Sequence, residues 1–162
     1  MFSSLDTIAS ANPATSATAI YSFLVGYVQE FDEGADIALA FLPVPIALSE
    51  DLSATFEGTS VATGLLVWLN RHPGLRIELL DYLRDAIEIS RRGVLFGLQR
   101  NVFTLGVNGK LLPRTAGLNR EPKDPVGLGI SERPITVAKR FGHWCGAMRS
   151  TKAVFISLGV RP

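Results

Sequence analysis

"SRRGVLFGLQRNVFTLGVNGKLLPR", residues 90–114, reads as a helix that runs directly into a tight β-hairpin. Ser90 is a helix-capping residue, and the spacing of Val94, Leu95 and Leu98 predicts that all three face a core. Gly93 and Gly97 on the same helix would let another backbone approach closely. Phe103, Leu105 and Val107 then alternate with Thr104 and Gly106 as far as Asn108-Gly109, the dipeptide of a two-residue type I′ turn. Such a turn sets Val107 opposite Lys110 and Leu105 opposite Leu112, with Lys110 near the tip. Helix followed by hairpin is the core of a winged helix. The fold class is therefore read as mainly α with a small β-hairpin, a winged-helix-like helical domain.

Helices are predicted on both sides of this stretch. Asn12-Pro13 is a helix start, and Ile20, Phe23, Leu24, Tyr27, Val28 and Phe31 follow at helical spacing, burying one face. Asp36 is placed to cap an apolar helix, Ile37–Leu42, which Pro43 and Pro45 must kink or end. Thr59 or Ser60 caps a third helix, containing Leu65, Leu66, Trp68 and Leu69, and His72-Pro73-Gly74 stops it. A fourth helix turns Leu79, Leu80, Leu83 and Ile87 inward, and the fifth begins at Arg91 behind Ser90. Beyond the hairpin, helix resumes near Ile135 with Phe141, Trp144 and Cys145, and Ser150 or Thr151 caps a last helix that Gly159 ends. A single domain, 1–162, follows: N-terminal helices 1–58, a winged-helix-like core 59–113, a long surface loop 114–134 and C-terminal helices 135–162.

The composition suits a folded domain: 47% of the 162 residues are hydrophobic and 19% charged. Cys145 is the single cysteine, so no internal disulfide forms and a reducing cytoplasm is expected. The uncharged run Ile37–Ser49 falls short of the roughly 20 apolar residues of a membrane span. No Lys or Arg precedes Arg71, so the basic leader of a signal peptide is missing and no membrane association is expected. That late first cation marks a wider division. Residues 1–70 hold eight carboxylates and no Lys or Arg, whereas residues 71–162 hold all sixteen cations and the other seven carboxylates. The net charge of +1 hides the division, which predicts separate acidic and basic surfaces able to steer partners.

Catalytic chemistry is hard to assemble from this chain. Its potential soft ligands and nucleophiles are His72, His143 and Cys145. His143 and Cys145 are two residues apart and point different ways on a helix, with no evident third group to orient them. Gly127-Leu128-Gly129 lacks the Lys-Ser/Thr of a phosphate loop. No enzyme activity, metal, cofactor or small-molecule substrate is expected.

Several stretches, taken in order, do carry a resemblance. They are Asn12-Pro13 ahead of an aromatic-rich helix, "FLPVPIAL", "TSVATGLLVWL", "RRGVLFGLQRNVFTL", "FGHWCGAM" and the terminal "SLGVRP". Together they resemble the middle component of bacterial three-component ABC systems, over nearly the whole chain apart from the 114–134 loop. The family's motif positions fall here on Asn12, Pro13, Trp68, Leu95, Gly142, Trp144, Gly159, Arg161 and Pro162. The chain departs from the pattern at Pro45 and Gly93. The resemblance implies a component linking an ABC-type ATPase, related to chromosome-maintenance and recombination ATPases, to an effector subunit in defence against phage or other invading DNA.

Three readings of the hairpin stay open at this point: docking onto protein, direct contact with DNA, and a purely structural role. Arg91, Arg92, Arg100 and Lys110 would let a winged helix clamp duplex DNA, with Arg114 beside the wing. Arg91 and Arg92 in a first helical turn would each cost roughly 0.3–1 kcal/mol against the helix dipole, which calls for a partner carboxylate or phosphate. The carboxylates of residues 1–70 would repel phosphate, however, and this favours docking onto protein. Arg161 is the remaining candidate contact, suited to an acidic partner.

Overall fold

The computed structural model describes residues 12–114 and 132–160. Most of the 114–134 loop, together with Arg161 and Pro162, lies outside the described residues. The fold is mainly helical with a three-stranded antiparallel sheet. Its centre is α1, Pro13–Glu30, which starts as the sequence dictates: the Asn12 side chain accepts from the Ala14 N–H at 3.1 Å, and Pro13 takes the first helical position. One buried face was expected, but every residue from Ala14 to Leu24 is buried. The polar residues among them are small. Thr18 and Ser22 donate their hydroxyls to carbonyls one turn back, those of Ala14 and Thr18, at 2.9 Å each.

Two helices enclose α1. The first is α7, Glu132–Met148, and glycines bring the two backbones together. A Cβ on Gly26 would overlap the Lys139 carbonyl, and one on Gly142 would overlap the Phe23 carbonyl. Beside this contact Phe56, Trp68, Phe141 and Trp144 form an aromatic cluster, in which Phe56 stacks on Trp144 with ring centroids 4.9 Å apart. The Trp68 indole donates to Thr55 Oγ1 at 3.0 Å and the Trp144 indole to the Ser60 carbonyl at 3.1 Å. Trp68, Gly142 and Trp144 thus build the core.

The second is α6, Ile87–Gln99. It begins four residues earlier than expected, so Ser90 lies inside the helix and caps nothing. Arg91 and Arg92 therefore lie beyond the first turn, and the dipole penalty assigned to them does not arise. The buried face is also different. Ile89, Ser90, Gly93, Val94 and Gly97 point inward, whereas Leu95 is exposed and Leu98 is only half-buried. Small residues decide this. A Cβ on Gly93 would lie 2.6 Å from that of Ser16 in α1, and Gly97 lies against the Phe103 ring. The departure from the family pattern at Gly93 is thus what lets α1 and α6 close together.

Between α1 and α6 the chain runs through β1 (Ala35–Asp36), a 3₁₀ turn (Ile37–Phe41), α2 (Pro43–Leu48), α3 (Glu50–Ala54), a second 3₁₀ turn (Val61–Thr63), α4 (Leu65–Arg71) and α5 (Leu75–Asp85). The expected apolar helix at Ile37–Leu42 is the 3₁₀ turn, with Ile37 and Ala38 exposed and no capping bond from Asp36. Pro43 and Pro45 fall in the first turn of α2, where missing N–H groups cost no intrahelical bond. Ser60 caps the short 3₁₀ turn, and Gly64, at φ 80°, separates that turn from α4. Two side chains of the fourth helix expected inward, Leu80 and Ile87, are exposed.

The hairpin comprises β2, Phe103–Leu105, and β3, Lys110–Pro113. Its loop is Val107–Gly109: Gly106 N–H donates to the Lys110 carbonyl at 2.8 Å, and Gly109, at φ 77°, takes the left-handed position. This three-residue loop replaces the expected type I′ turn and shifts the register by one, so Leu105 faces Leu111 and Thr104 faces Leu112. Leu111 becomes the buried residue and Leu105 is left half-exposed. The sheet also holds a strand not expected from sequence. β1 pairs with β3, Ala35 opposite Leu111 and Asp36 opposite Lys110, giving the order β1–β3–β2. The sheet on α6 therefore draws one strand from outside residues 59–113. Last, α8 (Thr151–Leu158) is capped by Ser150, whose Oγ accepts from Ala153 N–H at 3.1 Å, and ends at Gly159, φ 76°.

Candidate partner interface

Folding sets the acidic half of the chain against the basic half. Lys110 Nζ lies 2.9 Å from Asp36 Oδ1, Arg133 Nη2 3.7 Å from Glu57 Oε1, and His143 Nδ1 2.8 Å from Glu30 Oε2. Asp51 accepts from the Tyr82 hydroxyl at 3.2 Å. Of these contacts, Lys110–Asp36 and Arg133–Glu57 pair opposite charges from the two halves within the fold.

The hairpin shows this most clearly. Asp36 also accepts a hydrogen bond from Thr151 Oγ1, so one carboxylate ties β1, β3 and α8 together. The Thr151 hydroxyl and the Lys110 ammonium together hold the Asp36 carboxyl below its ordinary range. Lys110 is thus a half-buried strut rather than a free cation at the tip. The tip itself is Val107, which is fully exposed. Beside it Asn108 turns back: its Oδ1 accepts from Lys110 N–H at 3.0 Å, and its Nδ2 lies 3.5 Å from the Glu33 carbonyl. Glu33 and its exposed neighbour Asp32 therefore lie beside the hairpin.

The other sequence candidates lie along α6 and at its end. Arg91 and Arg92 are exposed on α6, and Arg91 pairs with Glu88 one turn back at 2.9 Å. Arg100 follows the helix and lays its guanidinium over the Phe96 ring, 4.9 Å from the centroid. Arg114 N–H donates to the Val102 carbonyl at 3.1 Å, which brings Arg114 to the same end of α6. Arg91 and Arg92 thus stand exposed in the middle of α6, Arg100 and Arg114 lie at its C-terminal end, and Lys110 is engaged by Asp36. Arg161 lies outside the described residues.

Sequence reasoning missed the apolar members of this surface. Leu95 is 52% exposed between Arg91, Arg92 and Gln99, and Ile87 is 46% exposed two turns earlier. The signal was present in Ser90, Gly93 and Gly97, whose smallness at helical spacing marks the side where other elements press in.

The remaining reactive side chains are absorbed by structure. Cys145 is fully buried, and burial pushes its thiol well above the usual range. Tyr27 is pushed up to about 12, first by burial and then by its anionic neighbours. Among the described residues, no three His, Cys, Asp or Glu side chains gather as a metal site, and no helix is long and apolar enough to cross a membrane.

No curated protein and no solved structure matches the chain. A family model does match, over residues 6–162, and it describes Middle Component 3 of the ABC-three component (ABC-3C) system. That span covers the enclosed α1, the aromatic cluster and the sheet, so the chain belongs to this family of middle components and has partner subunits within its own system.

Proposed function

We propose that this middle component is a non-catalytic cytoplasmic adaptor that links the ABC-type ATPase of its system to the effector. The system is read as one directed against phage or other invading DNA. In this reading the hairpin and α6 dock onto protein. The order α1, β1, α6, β2, β3, with β1 beside β3, supports treating the hairpin as the wing of a winged-helix-like unit, with α6 in the place of its recognition helix.

One observation carries the choice of protein over DNA: the ion pair of Lys110 with Asp36 at 2.9 Å. A wing that holds DNA presents cations to phosphate. Here the wing's cation is spent on a carboxylate, the tip is the apolar Val107, and Glu33 and Asp32 stand beside it. An apolar tip among carboxylates fits a protein surface and repels a phosphate backbone.

The arginines around α6 favour direct DNA contact as a second reading, and one experiment separates the two. The purified chain is run on size exclusion with each of the other two components, unmodified and as Val107→Glu. Co-elution of one component that is lost in Val107→Glu is the expected result. Tight duplex-DNA binding by the chain alone at physiological salt, lost on charge reversal of Arg91, Arg92 and Arg100, would replace the adaptor reading with the DNA one.

A further inference from the structure

We propose that the exposed face of α6 is the seat of an acidic, apolar-anchored segment of a protein partner, held by Leu95 and the arginines around it. This rests on the reading of the chain as a protein-docking adaptor and assigns the chemistry of one partner's contact.

The face is built from residues whose exposure has no use within the fold. Leu95 stands 52% exposed at the middle of α6, with Arg91 and Arg92 one turn before it and Gln99 one turn after, all exposed. These positions lie three and four residues from Leu95 and so share its side of the helix. Arg92 has no ion-pair partner among the described residues, and Arg91 has only Glu88, a pair exposed to water on both sides and weakly held. Arg100 and Arg114 extend the positive charge past the helix end. An apolar centre with two guanidinium groups one turn before it, and further positive charge at the helix end, is complementary to a segment presenting an aliphatic or aromatic side chain next to carboxylates. The apolar group covers Leu95, and the carboxylates accept from the planar guanidinium donors.

A phosphate backbone matches this face less well. It offers nothing apolar for Leu95, and Glu88 lies on the same exposed side as Arg91. A second copy of this chain, whose hairpin sets the exposed Val107 near Asp32 and Glu33, is the competing occupant that the test below separates.

The test places the photo-crosslinking residue benzoylphenylalanine at position 95 of the full chain and irradiates it with the two other purified components of the system. Parallel binding titrations use Leu95→Ser and Arg92→Glu. The expected crosslink joins position 95 to one component, in a peptide carrying several Asp or Glu around an apolar residue. Both substitutions should weaken that component's binding at least tenfold and leave the circular dichroism spectrum unchanged. A crosslink into a neutral or basic peptide, into residues 1–11 or 115–131 of this same chain, into a second copy, or into added duplex DNA would overturn the proposal. So would unchanged affinity in both variants. If a component binds yet never crosslinks at 95, the α6 assignment fails and the adaptor reading survives. If the unmodified chain binds neither component, both fail.

Discussion

Lys110, on the central strand of the sheet, holds Asp36 of the neighbouring strand at 2.9 Å, so the hairpin's cation is engaged within the fold. It also makes a prediction about acid stability. Hydrogen bonds from Thr151 and Lys110 lower the folded-state pKa of Asp36 below its ordinary value of 3.8. A group depressed in this way adds stability that is fully present above its unfolded pKa and is lost as pH falls through the folded one. Asp36→Asn should therefore lower the urea midpoint at pH 7, and the deficit should shrink as pH falls below about 4. A deficit of equal size at pH 7 and well below the carboxylate range would refute this origin.

The contact of Gly142 with the Phe23 carbonyl gives a second prediction. The obstacle is backbone on a helix that is itself enclosed, so relief requires α1 and α7 to move apart. Gly142→Ala should destabilise the protein by about 3 kcal/mol, at the upper end for overpacking. Gly74, whose Cβ would meet nothing, provides the control, and Gly74→Ala should stay within about 0.5 kcal/mol of the unmodified protein. Urea denaturation of the pair measures both.

Cys145 is the single thiol and is fully buried, with its pKa raised by that burial. Iodoacetamide at pH 8 should leave the native protein unmodified and alkylate it at the rate of unfolding. Mass spectrometry at intervals checks this; rapid native labelling would show a reactive thiol instead.

These structural features were unevenly legible in the sequence. Helix ends marked by local chemistry were read correctly: Asn12-Pro13, His72-Pro73-Gly74, Ser150 and Gly159 each act over one turn of chain. The hairpin's location was legible from Asn108-Gly109, yet its register was not, because Val107 joins the loop and only Gly109 takes the left-handed position. Ala35-Asp36 carries no strand signal of its own and pairs only because β3 offers an edge. The face of α6 was misread for a related reason. Val94 points inward as expected, but α1 presses on Gly93 and Phe103 on Gly97, and Leu95 falls on the exposed side. Of the candidate contacts, Arg91, Arg92, Arg100 and Arg114 were read from local sequence, whereas the partner of Lys110 lies 74 residues away in the chain and gives no local sign.

Charge reversal distinguishes surface groups from those spent on folding. Arg91→Glu, Arg92→Glu and Arg100→Glu combined should abolish one partnership with little change in melting temperature, because exposed pairs such as Arg91–Glu88 contribute at most about 1 kcal/mol. Asp32→Lys with Glu33→Lys should spare that partnership. Glu30→Lys is a different case: it removes the acceptor of His143 Nδ1 and should lower stability itself. Melting curves together with co-purification separate these three outcomes, and loss of fold in the triple arginine variant would contradict the exposed placement.

The most direct measurement is native mass spectrometry of the system's ATPase and effector components mixed with and without this chain. The adaptor account predicts a species containing all three only when the chain is present, and its loss when Val107→Glu replaces the unmodified protein. Assembly of ATPase with effector in the chain's absence, or no species containing all three in its presence, would contradict it.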